Sequence, residues 1–340
     1  MLHLNRRHAL AGLAATAISG RALAQPSTFT TNMYGGRWEN TWREKVLPPF
    51  AKTIGRSVTL DIGLGARWVA NFRAAGKDNP PFSALMLNER FTAMLRDEGY
   101  FKTLTPALVP NLADVVPSAK LKGDTAVSGM LAPMVIAYRT DLVKIPPRAW
   151  ADLWRPDLKG QIGLYAISNS AAVMLALWAA EHFGKGITDI DTAVKKFAEL
   201  KPFPQIAYSA QLTPLLVQGQ IAVAPIDLGE IVPLKQKGVP LDFVVPEEGM
   251  MIFDQSFSIL ANGADKAAAG KYLDYVLSPE IQLFMAREWL IAPTNSKVTL
   301  PSELESLPLT PAAIAKAKRF DWTEVNKLTA DLATAWSKAI

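Results

Sequence analysis

The sequence predicts an α/β protein of two lobes, and three observations lead there. Short β-rich runs alternate with helical ones along most of the chain. The 340 residues, 49% of them hydrophobic, allow about two domains with sizeable cores. Nothing marks a flexible linker, so the lobes are expected to be joined by extended crossing strands.

Residues 28–34 read as a strand closed by Gly35-Gly36. A helix follows from about residue 39, with Trp38, Trp42, Val46 and Leu47 at helical spacing and Pro48-Pro49 as its stop. The spacing predicts a strand over 57–62 ending in Gly63 and Gly65, a helix over 67–75, a short buried strand over 84–87 and a helix over 91–98 stopped by Gly99. This succession indicates a parallel sheet. After Pro133 it restarts: strands are expected over 134–138, 162–165, 221–225, 241–245 and 256–260. Helices are expected over 171–183, 192–200, 212–218, 230–237, 265–277 and 279–289, and beyond Pro301 the chain is mostly helical, with Trp322 and Trp336 as anchors. The expected division is residues 25–132 plus 259–300 in one lobe, 133–258 in the other, and a helical tail over 301–340 packing on both. The crossings fall near 131–137 and 255–260.

The start of the chain is read differently. Asn5-Arg6-Arg7-His8 is basic, residues 9–18 are apolar, and Ala22-Leu23-Ala24 is a small-x-small site before Gln25. That order predicts an export signal over 1–24, cleaved near Ala24/Gln25, by the general secretory route or, from Arg6-Arg7 and Leu10, the twin-arginine route. The apolar stretch is too short to span a bilayer, which takes roughly 20 residues. The expected location is the periplasm. Without Arg6, Arg7 and Arg21 the charge is 33 basic against 31 acidic residues, and no basic run points to nucleic acid. The chain has no Cys and three His, two of them in the signal, so no Cys/His metal site and no cofactor is expected. His182, before Gly184, reads as a cation at a helix C-terminus.

Ala149-Trp150-Ala151-Asp152-Leu153-Trp154-Arg155-Pro156-Asp157-Leu158-Lys159-Gly160 closely resembles the Ser-Trp-x-Asp-Leu-Trp-x-Pro-x-x-Lys-Gly block of periplasmic solute-binding proteins, the spermidine/putrescine-binding-like family. Gly219-Gln220-Ile221-Ala222-Val223, Val244-Val245-Pro246-Glu247-Glu248-Gly249 and Ala292-Pro293-Thr294-Asn295 resemble further blocks of that family, in order. The resemblance implies a type II-like binding-protein fold: two Rossmann-like lobes, a ligand cleft between them, hinge closure, and delivery of a small molecule to an ABC transporter permease in the inner membrane. It implies a carrier rather than an enzyme, and a monomer is expected. The rival from another class is an exported hydrolase using Asp227 and Glu230 as paired carboxylates.

Departures from the family bear on the ligand. The 166–170 loop carries no acid; Asp227-Leu228-Gly229-Glu230 stands where the family has Trp-x-Gly-Asp; and Gln255, beside Asp254, stands nearest a family Asp. Polyamine binding remains the alternative. In its place, Ser168, Asn169 and Ser170 open a helix whose free N–H groups favour an anion, or cap it in the ordinary way. Tyr34, Gly35, Gly36 and Arg37 end the first strand; Arg67 and Asn88 follow the next two. The arginines can clasp a carboxylate or stand as surface charges. The expectation is a small polar solute, anionic or zwitterionic, bound by these residues with Asp227 or Glu230 taking any amine.

Overall fold

The computed structural model describes residues 28–340. The expected export signal and its cleavage site lie outside them. Strand β1 (Thr28–Met33) pairs in parallel with β2 (Ser57–Ile62). Between them run α1 (Arg37–Thr41), a π turn (Trp42–Val46) and α2 (Leu47–Ile54). Pro48-Pro49 do not stop this helix as expected. They sit in the first turn of α2, where a missing N–H leaves no bond unmade. Trp42, Val46 and Phe50 supply the buried face. Then follow α3 (Gly65–Ala75), β3 (Ala84–Leu87) and α4 (Glu89–Asp97).

The long strand β4 (Ala126–Arg139) leaves this region, and β5 (Leu164–Tyr165), α5 (Ser170–Phe183) and α6 (Ile190–Glu199) follow it. Next come β6 (Gln205–Ile206), α7 (Ser209–Val217), β7 (Val223–Asp227), α8 (Leu228–Gln236) and β8 (Leu241–Val244). β9 (Met251–Ile259) returns, leading to α9 (Lys266–Val276) and α10 (Pro279–Trp289). The tail holds α11 (Ser302–Glu305), α12 (Pro311–Ala315) and α13 (Trp322–Ala339). His182, in the last turn of α5, stacks on Trp178 with ring centres 4.5 Å apart.

The expected parallel order holds only in part. β1–β2 and β5–β6 are parallel, but the central sheet, β3-β9-β4-β7 with β8 also on β4, is antiparallel throughout. The cause is the crossing itself: one strand leaves and the other returns, so they run in opposite directions. Both crossings are longer than the sequence marked. Ala126–Ser128 of β4 pair with Ser256–Ser258 of β9, which also binds β3, whereas Met134–Arg139 pair with β7 and β8. A bulge lies between, at Gly129, where a Cβ would come 2.8 Å from the Phe257 ring.

Two large cores flank this bridge. One gathers Phe29, Trp42, Phe50, Trp68, Leu85, Phe257 and Tyr272; the other gathers Trp150, Tyr165, most of α5, Phe197, Ile226, Trp322 and Trp336. A smaller core on the hinge joins Leu131 and Val135 to Leu228, Ile252, Leu290 and tail residues Leu304, Leu309 and Ile314. Trp150 and Leu153 are fully buried and Trp154 is partly so, which gives the 149–160 block its packing role.

Candidate functional site

The strand ends and helix starts that face each other across the bridge bring the sequence-marked residues into three groups. In the first, Tyr34 follows β1, and its hydroxyl donates to Gln255 Oε1 on β9 at 2.7 Å. Its ring lies 5.7 Å from that of Trp68. Burial, with the Asp254 charge nearby, pushes the Tyr34 hydroxyl well above its ordinary range. Gly35 and Gly36 form an exposed turn, with Gly36 at a left-handed φ of 73° as it enters α1.

The second group joins the two sides. Asn88, almost wholly buried, caps α4 by accepting from Arg90 N at 3.2 Å. Its Nδ2 donates to the Asp254 carbonyl at 3.0 Å and to Asp254 Oδ1 at 3.2 Å. Its Oδ1 also accepts from the Ser170 hydroxyl at 3.0 Å. Arg90 Nη1 donates to the Ser168 carbonyl at 3.0 Å, while its Nε is buried without a partner. Asn169 caps α5 through Ala171 N at 2.8 Å and donates to the Ala207 carbonyl at 2.9 Å. The Ser168-Asn169-Ser170 segment therefore caps its own helix and reaches the first lobe. Asp254 also accepts from Glu89 N at 3.3 Å. Burial raises the carboxyls of both Glu89 and Asp254, and for Glu89 the neighbouring Asp254 charge adds to the effect.

The third group lies in the second lobe. Asp227 ends β7 and accepts a short hydrogen bond from the Ser209 hydroxyl. That hydroxyl also bonds the Tyr165 hydroxyl at 2.8 Å. Glu230, one turn on, accepts from Thr213 at 3.0 Å. Burial pushes the Asp227 carboxyl up to about 7, with the Glu230 charge adding to the effect and the Ser209 bond opposing it. Phe253 places its ring 5.8 Å from Tyr165.

Arg37 and Arg67 have partners within the protein. Arg67 donates to Asp61 at 2.6 Å and to the Ile62 carbonyl at 2.5 Å. A Cβ at Gly63 would fall 2.3 Å from its guanidinium, so the glycine makes room for that pose. Arg37 donates to the Glu288 carbonyl and stacks 3.9 Å over Trp289. Tyr165, Ser209 and Asp254 escape the sequence reading as site residues, whereas Glu89 and Arg90 enter it with Asn88 as the residues after the third strand, at the cleft by topology. Glu89 adjoins Asn88, and Asp254 adjoins Gln255. Ser209 carries no local signal, because only the fold brings it to Asp227.

Residues 81–328 match the family described as bacterial extracellular solute-binding protein. The chain belongs to that family. Among curated relatives of this solute-binding protein, the spermidine/putrescine-binding periplasmic protein of Escherichia coli is 24% identical over 197 residues, covering 55% of this chain. The match spans 56% of that relative's length. The putrescine-binding periplasmic protein PotF of the same organism is 24% identical, with 94% of each chain covered. A putative extracellular solute-binding protein from Bordetella parapertussis has the same fold, at a TM-score of 0.78 and 20% identity, with 92% of this chain and 99% of that one covered. So does the spermidine/putrescine transporter substrate-binding protein PotD from Streptococcus pneumoniae, at 0.71 and 17%, with the same coverage. These likenesses bear on the fold; the second group above is the place where its two lobes meet.

Proposed function

We propose that this protein is the periplasmic substrate-binding component of an ABC importer, exported by its N-terminal signal, and that it closes by hinge motion on a small polar solute for a membrane permease. The family membership supports the class. The carrying observation is the polar seam between lobes, where Asn88 and Arg90 of one meet Ser170 and Ser168 of the other at 3.0 Å. Such bonds are made and broken when lobes joined by β4 and β9 close and open. The lobes divide near residues 132/133 and 258/259, with the tail spanning both.

The solute favoured by the geometry is zwitterionic. Asp227 and Glu230 face hydroxyl partners and meet no cation among the described residues, so an ammonium group completes them. Arg90, whose Nε lacks a partner, together with the start of α5, offers the complementary place for a carboxylate. Arg37 and Arg67 are engaged elsewhere and are secondary candidates. A second reading, a diamine, is favoured by the buried carboxyls of Glu89 on the other lobe and Asp254 on the crossing strand β9. Binding, not turnover, is the activity proposed.

Thermal-shift measurements on the mature protein with 4-aminobutanoate, glycine, putrescine, spermidine and succinate test these readings. Stabilisation by a zwitterion, with a smaller radius of gyration in solution scattering, is the expected outcome. Stabilisation by putrescine alone selects the diamine. Hydrolysis of an offered substrate, or no shift with any polar solute, defeats the proposal.

A further inference from the structure

The last helix belongs to one lobe and holds the other. Trp322, Val325, Leu332 and Trp336 of α13 are buried in the second lobe's core. Trp336 lies 4.8 Å from the Phe197 ring of α6 and donates to Gln205 at 2.8 Å; Lys201 donates to the Ala339 carbonyl at 2.8 Å. This side is apolar and continuous with the core. The adjoining side of the helix meets α4 of the first lobe, with polar groups flanking one small apolar residue. Asn326 Nδ2 donates to the Arg90 carbonyl at 2.8 Å, and Arg96 donates to the Thr323 hydroxyl at 2.5 Å. Just before the helix, Arg319 donates to the Ser118 carbonyl at 3.3 Å. Ala93, on the face of α4 between these contacts, is fully buried with the second lobe's core.

We infer that α13 is an interlobe clasp: it travels with the second lobe and grips α4 only when the cleft is closed, so Thr323 and Asn326 set the ratio of closed to open protein. The inference rests on the hinge reading above. Two features support separability. The α4 side has two hydrogen bonds flanking one small buried residue, Ala93, whereas four apolar side chains seat the helix in the second lobe. The first-lobe side is also incompletely satisfied, since Asn326 Oδ1 and Arg319 Nη2 are both buried without partners among the described residues. A permanent core seldom keeps such atoms, because each costs free energy that water restores on opening. The clasp acts on the helix whose first turn already meets Ser168 and Ser170. It thus reinforces the cleft seam from outside the cleft, and Thr323 and Asn326 are positioning residues that need touch no solute.

The chain has no cysteine, so two can be added for spin labels, one at Ala74→Cys on α3 and one at Lys195→Cys on α6, both at exposed positions. Distances between the labels are measured on ligand-free protein in this background and with Thr323→Val, Asn326→Ala or both added. Removing both hydrogen bonds should raise the open-to-closed ratio by roughly ten-fold, and either one alone by a few-fold. Lys338→Ala, exposed on the same helix, should leave the ratio unchanged. Thermal midpoints should stay within a few degrees, because the apolar seat of the helix is untouched. Distance distributions that match the background in both single variants and the double variant overturn the clasp. The solute screen of the previous section is independent of this readout: failure to bind any solute would defeat the transport reading and leave the distances to decide the clasp.

Discussion

Replacing Asp227 with Asn separates the cost of the buried carboxyl from its use. Burial moves this group from its ordinary 3.8 to about 7. The folded state then holds a proton more tightly than the unfolded state. The sign follows from linkage: stability contributed by the protonated form is present at low pH and is lost as pH climbs from about 4 through about 7. At 1.36 kcal/mol per pH unit the ceiling on that loss is roughly 4 kcal/mol. Solvent entering an open cleft lowers it, and we expect about 1–2 kcal/mol. Asn keeps the shape and can still bond the Ser209 hydroxyl, but it carries no charge at any pH. Urea unfolding of ligand-free protein at pH 5 and pH 8 should therefore show a variant little changed at pH 5 and more stable than the parent at pH 8. Calorimetry with the solute found in the screen should show amine binding weakened by about 1.5–3 kcal/mol, the usual range for a charged hydrogen bond. A variant less stable than the parent at both pH values, or a difference independent of pH, would refute the reasoning that Asp227 is buried without a cation.

Further outcomes follow from close contacts and from the chain start. Gly229→Ala places a Cβ 2.4 Å from the Trp289 carbonyl, so it should lower stability by about 1–3 kcal/mol, and an unchanged thermal midpoint would show that α8 and α10 are not in contact at the hinge. Ser170→Ala removes one bond across the seam while Asn88 keeps its others; solute affinity should fall by about 0.5–1.5 kcal/mol with little change in ligand-free stability. Equal affinity would place that bond outside the closed-state balance. Mass spectrometry of the exported protein should find Gln25 as its first residue, and a retained leader would contradict the signal reading.

Much of the fold was legible because local rules govern it. The buried run 84–87 is β3 unchanged, and α10 runs over 279–289 as the Pro279 start predicts. The strand directions were not legible, since β4 and β9 are set antiparallel by contacts across more than a hundred residues of sequence. Pro48-Pro49 misled because a proline that ends one turn also suits the start of the next. Strand ends, helix starts and family blocks mark the candidate residues; of these Asn88 and Ser170 meet between the lobes, Tyr34 bonds Gln255 on β9, and Asp227 lies within the second lobe. Strand-end position alone does not reveal partners. Arg67 has Asp61 six residues away, a pair visible in the sequence, but the bond from Ser209 to Asp227 spans two elements and needed the fold. The tail likewise reads as helical and as packing on both lobes, but nothing in the sequence singles out Thr323 and Asn326 as its contacts to α4.

The arrangement of charge and contact bears on how closure is made to depend on solute. A solute shifts the balance of open and closed protein only by its different affinity for the two. Moving that balance from 1:99 to 99:1 takes about 5.5 kcal/mol. The seam at Asn88 and Ser170 and the clasp at Asn326 favour closure whether or not the cleft is filled. Asp227 opposes it in the empty protein, because closing strips water from an ionised carboxylate that has only hydroxyl partners. An ammonium group reverses the sign of that one contribution and leaves the others as they were. The hydrogen bonds between lobes then set how easily the protein closes, and the acid decides on what. Strengthening the clasp would tighten binding of every solute the cleft admits, whereas neutralising Asp227 would let the protein close empty and lose its preference for an amine.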